Sequence, residues 1–313
     1  MKNRIGLGCM GFSHAYGVAV DKNEAIQTIK KAYALGYRIV DTAQCYTGYY
    51  ADGTVAYNEE IVGEALKDVR SDIYLCTKFG VKHCGDHLEF DSSRETILRS
   101  LEESLEKLQT DYIDLYYQHR IDPKVEPEEV ALVMKELIEA GKIKAWGISE
   151  VNEEYLRCAN AVCKVTAIQN RYSMMARWYE PLIDVCEELD ITYIAFSPLA
   201  NGILTGMYSN QSTFEEGDFR NRMPQYQQKG YNKVIPLLEL LDEISNKYKC
   251  TSAQLSLAWI LNKYPRMVVL PGSRKIERLK ENFDSSLIKL TKEAIQKIDQ
   301  CLNAIDFEVF GGH

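Results

Sequence analysis

Gly6-Leu7-Gly8-Cys9-Met10-Gly11 matches the glycine pattern of a dinucleotide-binding turn letter for letter, and Asp41 closes the second apolar run, where such a fold places an acidic residue. That pattern opens a doubly wound sheet only when a strand precedes it and a helix starts on its last glycine. Here five residues precede Gly6, and Phe12-Ser13-His14-Ala15-Tyr16-Gly17 reads as loop, so the first helix start waits until Asp21. The stretch fits better as a weak first strand whose small residues allow close approach to a ligand or a neighbouring strand.

Seven further β-branched or aromatic runs follow: Tyr37–Asp41, Ile73–Lys78, Tyr112–His119, Ile143–Ser149, Val165–Gln169, Thr192–Ser197 and Met267–Leu270. Amphipathic segments separate them. Asp21 with Glu24, Ser92 with Glu95 and Thr251 with Gln254 have the spacing of capping boxes, and Gly36 and Gly141 stand where helices end. Strand, crossover helix and parallel strand repeated eight times predict an α/β fold, a closed (β/α)8 TIM barrel with residues 1–313 as its single domain. The interval from Ser197 to Met267 is too long for one crossover. It is expected to hold a polar loop over 201–232, closing as a lid, and helices near Lys233–Tyr248 and Ser252–Asn262.

Composition narrows the function. The chain has 313 residues, 46% of them hydrophobic, and a net charge of -8 spread along its length. An acidic protein without a basic stripe is a poor partner for nucleic acid. No run approaches the ~18 apolar residues of a membrane helix, and no signal peptide is expected at the N-terminus. The 9 cysteines form no Cys-x-x-Cys pair, which fits reduced thiols and a cytoplasmic protein.

In a barrel of this kind the chemistry gathers where strands end. The second run ends in Asp41 with Tyr46 shortly after, the third in Lys78 and the fourth in His119. Each alone has an ordinary structural explanation, as a cap or a solvated side chain. Together, at one rim, they suit proton chemistry. A lysine beside a phenol is expected to lower its pKa from about 10, and a carboxylate would keep that lysine charged. A neutral histidine could orient a carbonyl oxygen near the phenol, which suits protonation of a C=O during reduction.

Asp41-Thr42-Ala43 with Tyr46, Asn58-Glu59-Glu60-Ile61-Val62-Gly63-Glu64-Ala65-Leu66, Thr77-Lys78-Phe79-Gly80, Asp114-Leu115-Tyr116-Tyr117-Gln118-His119, Gly147-Ile148-Ser149-Glu150, Phe196-Ser197-Pro198-Leu199 and Pro271-Gly272-Ser273-Arg274 occur in this order. In these motifs the sequence resembles the aldo-keto reductase family, from Gly6 to about Leu302. Gly8-Cys9-Met10-Gly11 and Gln118-His119-Arg120-Ile121-Asp122-Pro123 look like the bacterial, yeast and plant branch near pyridoxal reductases and channel β-subunits. The resemblance implies reduction of a small-molecule carbonyl with Tyr46 as general acid, Asp41 and Lys78 as its tuning pair, and His119 as substrate orienter. It implies NADPH/NADP+ laid across the C-terminal rim, near Cys9, Met10 and Asp41. Ser149 and Gln169 would hold the nicotinamide carboxamide, Phe196 would stack on the ring, and Ser197 and Leu199 would line the pyrophosphate. Ser273, Arg274, Arg278, Glu281 and Asn282 fall where the family holds the adenosine 2′-phosphate and adenine.

Three features depart from the family pattern. Glu150 replaces a common Asn beside the carboxamide clamp, and Gly272 replaces a common Lys beside the phosphate. The hairpin that usually covers the barrel's lower end has no counterpart before Gly6, so a plug there is expected to be missing or replaced. Two other stretches invite a function. His83-Cys84-Gly85-Asp86-His87 has donors at metal-like spacing but reads as a solvated loop with no metal, since a closed zinc site needs four ligands in a fixed frame. Met174 and Trp178, after the sixth strand, are expected in a substrate pocket with Tyr46 and His119, or else packed beneath the next helix. The competing function is a non-catalytic or regulatory subunit that senses cofactor on the same fold. The intact set of four favours catalysis. A sugar-phosphate isomerase or aldolase barrel would use Lys78 but leaves Ser273, Arg274 and Arg278 unexplained.

Overall fold

The computed structural model describes residues 4–85 and 87–310. Eight parallel strands lie side by side in the order Leu7–Gly8, Ile39–Asp41, Tyr74–Phe79, Leu115–Gln118, Trp146–Ser149, Ala167–Arg171, Thr192–Phe196 and Val268–Leu270. Parallel bridges from Ile5 to Val269 and from Gly8 to Gly272 join the last strand to the first, closing the barrel. No doubly wound sheet forms at the opening glycines. Their smallness serves that closure: a Cβ on Gly6 would meet Leu270 Cδ2 at 2.5 Å and Ile39 Cγ2 at 3.0 Å.

Successive side chains on a strand point to opposite faces, so every second residue enters the barrel. Ile39, Cys76, Leu115, Tyr117, Ala167, Ile194, Val268 and Leu270 form the interior cluster, with Tyr74 and Ala145 partly buried against it. Packed, mostly aliphatic side chains, with the rings of Tyr117 and Tyr74, thus occupy the interior below the rim. Two residues beyond Ile39, Cys76, Tyr117 and Ala167 stand Asp41, Lys78, His119 and Gln169. The same alternation that fills the core therefore lifts four polar side chains to its C-terminal mouth.

The crossover helices begin with the chemistry expected of them. Asp21 Oδ1 accepts from the N–H groups of Asn23 and Glu24, and Thr251 and Gln254 form a full capping box. Gly36 ends its helix at φ 109°, a conformation open to glycine. One cap shifts: Ser93, not Ser92, caps the helix Arg94–Leu108, because Ser92 Oγ accepts from Gln118 Nε2 instead.

Two hairpins interrupt segments expected to be plain loop. Thr47–Tyr49 pairs with Val55–Tyr57, and Val81–Cys84 pairs with His87–Phe90. The second converts the His83–His87 stretch into a hairpin end. Asp86 lies outside the described residues, and among those residues no three ligating side chains gather as a metal site. No helix among the described residues is long and apolar enough to cross a membrane. The expected loop over 201–232 is largely organised: short 3-10 turns occupy Ala200–Thr205, Phe219–Arg222 and Pro224–Tyr226, and the next helix spans Gln228–Tyr248 rather than starting near Lys233.

Candidate active site

Tyr46 follows the second barrel strand and precedes the first hairpin. Its backbone is held from three sides. Its N–H donates to Ala43 O at 3.1 Å, while its carbonyl accepts from Asn58 N at 3.1 Å and from Ser13 Oγ at 2.9 Å. The buried Asn58 side chain donates to Cys9 O and Ser13 Oγ and accepts from Thr42 Oγ1, tying the loops after the first two strands together. That web explains why Asn58 opens its helix from a buried position.

Beneath the phenol lies a buried ion pair. Lys78 Nζ donates to Asp41 Oδ1 at 2.5 Å and to Thr42 O at 2.8 Å, and lies 3.4 Å from Tyr46 OH. Lys78 is only 1% exposed, so its charge depends on that partner. Burial works against the ammonium, but Asp41 and Tyr46 outweigh it and hold its pKa above the ordinary lysine value. Gln169 Nε2 donates to Asp41 Oδ2 at 2.7 Å, occupying the other carboxylate oxygen.

His119 meets the Tyr46 ring edge-on, with centroids 5.7 Å apart and planes at 83°. Burial, reinforced by Arg120, Lys78, His83 and His14, pulls its pKa well below the usual histidine value, so the ring is neutral at pH 7. Its Nδ1 lies 3.4 Å from Cys45 Sγ. The phenol departs from expectation. Burial pushes Tyr46 up to about 12, with Lys78 pulling the other way and Asp41 adding to the rise. The lysine acts in the expected direction, but desolvation outweighs it.

The residues expected along a cofactor spread around the rim. Ser149 and Gln169 are register partners on neighbouring strands, and Ser149 Oγ accepts from Arg120 Nη1 at 3.3 Å. Cys9 is fully buried, its N–H donating to Asp41 O at 2.8 Å, and Met10 opens a single 3-10 turn. Phe196 ends the seventh strand, and Ser197 follows at φ 51°. Glu150, also at positive φ, accepts from the backbone N–H of Arg171 at 3.0 Å. Ser273 and Arg274 precede the helix Ile276–Asp284, which carries Arg278, Glu281 and the buried Asn282. Arg278 pairs with Glu281, and exposed Arg274 donates to Tyr16 O.

Of the two residues expected either in a substrate pocket or packed beneath the next helix, Met174 takes the packed place. After the sixth strand the chain turns back through paired backbone bonds between Ser173 and Ala176, and Met174 ends in the core at 1% exposure. Trp178 lines an open cleft of about 530 Å³ with Arg177, Glu180 and Tyr264, and neither Tyr46 nor His119 borders it. The side chains near the phenol are instead His14, His83 and Phe219. His14 stacks 5.9 Å from Tyr46, lies 4.7 Å from His83 and 5.9 Å from Phe219. The sequence offered His83 only within a metal-like spacing and gave no sign of His14 or Phe219, because the three side chains follow three different barrel strands.

A segment after the seventh strand reaches across the mouth to the loop after the first. Phe219 N donates to Ala15 O at 2.9 Å, Tyr16 bridges to Asp218, and Asn201 Nδ2 donates to Tyr16 OH. Arg220 pairs with Asp218 within the segment and lies 5.2 Å over the Tyr16 ring of the first loop.

Fold and site together define a parallel (β/α)8 barrel with a buried Tyr–Lys–Asp group and a neutral histidine at its C-terminal mouth. The family model described as the aldo/keto reductase family matches residues 4–303. The chain belongs to that family. Aldo-keto reductase str7 of Strobilurus tenacellus is 36% identical over 307 residues, covering 95% of this chain and 88% of that protein. Aldo-keto reductase yakc [NADP(+)] of Schizosaccharomyces pombe is 36% identical, covering 98% and 90%. Among solved structures, glycerol dehydrogenase AKR11B4 from Gluconobacter oxydans superposes with a TM-score of 0.86 at 26% identity, covering 96% of this chain and 91% of that one.

Proposed function

We propose that the protein is an NADP(H)-dependent oxidoreductase that reduces aldehyde or ketone carbonyls to alcohols, with Tyr46 as the general acid. The observation that carries this reading is the Lys78–Asp41 pair beneath the Tyr46 hydroxyl, with the neutral His119 ring beside it.

The rim residues fit a nicotinamide dinucleotide. Asn201 Oδ1 is buried without a hydrogen-bond partner, in a turn where Ser197, Ala200, Asn201 and Gly202 all take positive φ. That unpaired oxygen is an acceptor suited to a hydroxyl or amine of a dinucleotide, while the Ala200 and Gly202 N–H groups already donate to Ser197 O and Leu199 O. Ser149 and Gln169 would hold the carboxamide, Phe196 would face the ring, and Ser197 and Leu199 would line the pyrophosphate. The chemistry the bound nicotinamide supplies is the hydride.

The chain's own residues manage the proton. His119 donates a hydrogen bond to the substrate oxygen without bringing a charge of its own. Tyr46 gives its hydroxyl proton to that oxygen as negative charge develops there. Lys78, kept charged by Asp41, stabilises the phenolate left behind, and the phenol regains its proton from solvent after product leaves. Such proton transfer from a positioned acid contributes roughly 10²–10⁴-fold to rate.

Arg274 and Arg278 flank the start of a helix, where backbone N–H groups already suit a phosphate. Their planar guanidinium groups match the 2′-phosphate that only NADPH carries. NADPH is therefore expected to exceed NADH by at least about tenfold in kcat/KM. Arg278→Ala should weaken use of NADPH and leave use of NADH nearly unchanged. Equal use of the two cofactors by the parent protein would contradict this assignment.

The crossing segment over 201–232 is expected to tighten over bound cofactor, as lids do. Hydrogen exchange with and without NADP+ measures this directly. Slower exchange of the Phe219 amide, which donates across to Ala15, is the expected result. Equal protection in both states contradicts it.

A further inference from the structure

The sixth barrel strand ends in a charge that the protein itself leaves unpaired. Arg171 is 8% exposed, and neither its Nε nor its Nη1 has a hydrogen-bond partner. An uncompensated buried cation disfavours folding, and such a group in a native protein calls for an explanation. The nearby carboxylate of Glu150 does not hydrogen-bond the guanidinium. It accepts from the Arg171 backbone N–H at 3.0 Å. A second cation lies close by: Arg120 directs Nη1 to His119 O at 2.7 Å and to Ser149 Oγ at 3.3 Å. Burial and then Arg120 pull the Arg171 pKa below the ordinary arginine value, with Glu150 opposing.

Alternation along the strand puts Arg171 on the same face as Gln169, one step further out of the barrel. Its guanidinium lies 5.0 Å from the Phe196 ring centre and 5.9 Å from that of Phe310. Rings then continue without a gap toward the phenol. Phe310 is 6.4 Å from Phe219, Phe219 is 5.9 Å from His14, and His14 is 5.9 Å from Tyr46. One aromatic wall therefore connects the unpaired cation to the proton donor.

We propose that Arg171, with Arg120 beside it, receives an anionic group of the substrate, so that the protein acts on carbonyl compounds carrying a carboxylate or phosphate. This rests on the carbonyl-reductase reading above. A planar guanidinium fork accepts two carboxylate or phosphate oxygens at once, and both the partner and the missing hydrogen bonds would arrive with the substrate. A phosphate could also come from the cofactor's own pyrophosphate, and the experiment separates the two sources.

Wild type and Arg171→Met are compared with 4-carboxybenzaldehyde and its methyl ester, while NADPH affinity is measured by fluorescence and benzoate affinity by calorimetry on the protein with NADP+. In the wild type the acid should be preferred to the ester by at least about tenfold in kcat/KM. In Arg171→Met that preference should vanish through KM, benzoate should bind at least about tenfold more weakly, and NADPH affinity should hold. Thermal melting guards against a purely structural role. Replacing an unpaired buried cation by a neutral side chain should raise Tm, and a large fall would show that Arg171 supports the fold instead. Arg171→Lys keeps a charge and should retain part of the preference. Equal rates for acid and ester in the wild type overturn the proposal, as does a loss of NADPH affinity in Arg171→Met with both substrates affected alike. If the wild type reduces neither aldehyde, the carbonyl-reductase reading fails by itself, and the benzoate titration still decides the anion site: equal binding by wild type and Arg171→Met overturns it.

Discussion

Tyr46→Phe is expected to lower kcat for carbonyl reduction by at least ~10²-fold while NADPH binds as before. The substitution removes one oxygen and keeps the ring that stacks with His14 and meets His119 edge-on. The Tyr46 backbone is fixed through Asn58 and Ser13, not through its hydroxyl, so the loop should stay in place. Among the described residues, the only hydrogen bond lost is the 3.4 Å contact with Lys78 Nζ. A variant with near-parental kcat would show that the substrate oxygen takes its proton from elsewhere.

Lys78→Met is the second large effect, and it reaches stability as well as activity. It removes one half of a buried ion pair and leaves Asp41, 4% exposed, with only Gln169 on one oxygen. Breaking such a pair costs about 3–5 kcal/mol, measurable by urea unfolding. Activity should be lost with it. Adding Asp41→Asn removes the stranded charge, so the double variant should regain a large part of the stability and none of the activity. If the single variant keeps both, the pair is ornamental to catalysis.

The pH profile follows from the same charges. With burial pushing Tyr46 up to about 12, the phenol stays protonated, and so able to donate, throughout neutral and mildly alkaline pH. His119 is held well below its usual value, so it does not gain a proton near pH 7. The kcat of the parent protein should be flat between about pH 7 and 10, with no step at the ordinary tyrosine value. An inflection inside that window would mean that Lys78 outweighs desolvation in the working enzyme.

The barrel was legible because its signals are local and repeated. Each strand is a short apolar run, and Asp41, Lys78 and His119 stand two places above interior residues of the same strands. The same alternation could have singled out Arg171, two places beyond Gln169, had the sixth strand been carried past Gln169. The hairpin around Thr47–Tyr49 carried a turn signal in Asp52-Gly53, with Gly53 at φ 83°, but strands of three residues leave too little pattern to detect. The helix Gln228–Tyr248 begins in a polar run, and Gly230 fits there because a Cβ would strike Pro224 O. The sign of the Tyr46 shift could not be read in advance, since it depends on how much water the folded site excludes. Met174 took the packed alternative, because the tight turn at Ser173–Ala176 directs it into the core.

A single-turnover experiment tests the central claim most directly. The protein with bound NADPH is mixed with an aldehyde, and nicotinamide oxidation and alcohol product are quantified together in the parent and in Tyr46→Phe. One alcohol formed per NADPH oxidised, at a rate at least ~10²-fold higher in the parent, is the result predicted. Tight NADPH binding by the parent with no alcohol formed from any aldehyde or ketone would contradict it, and would favour a cofactor-sensing subunit on the same barrel.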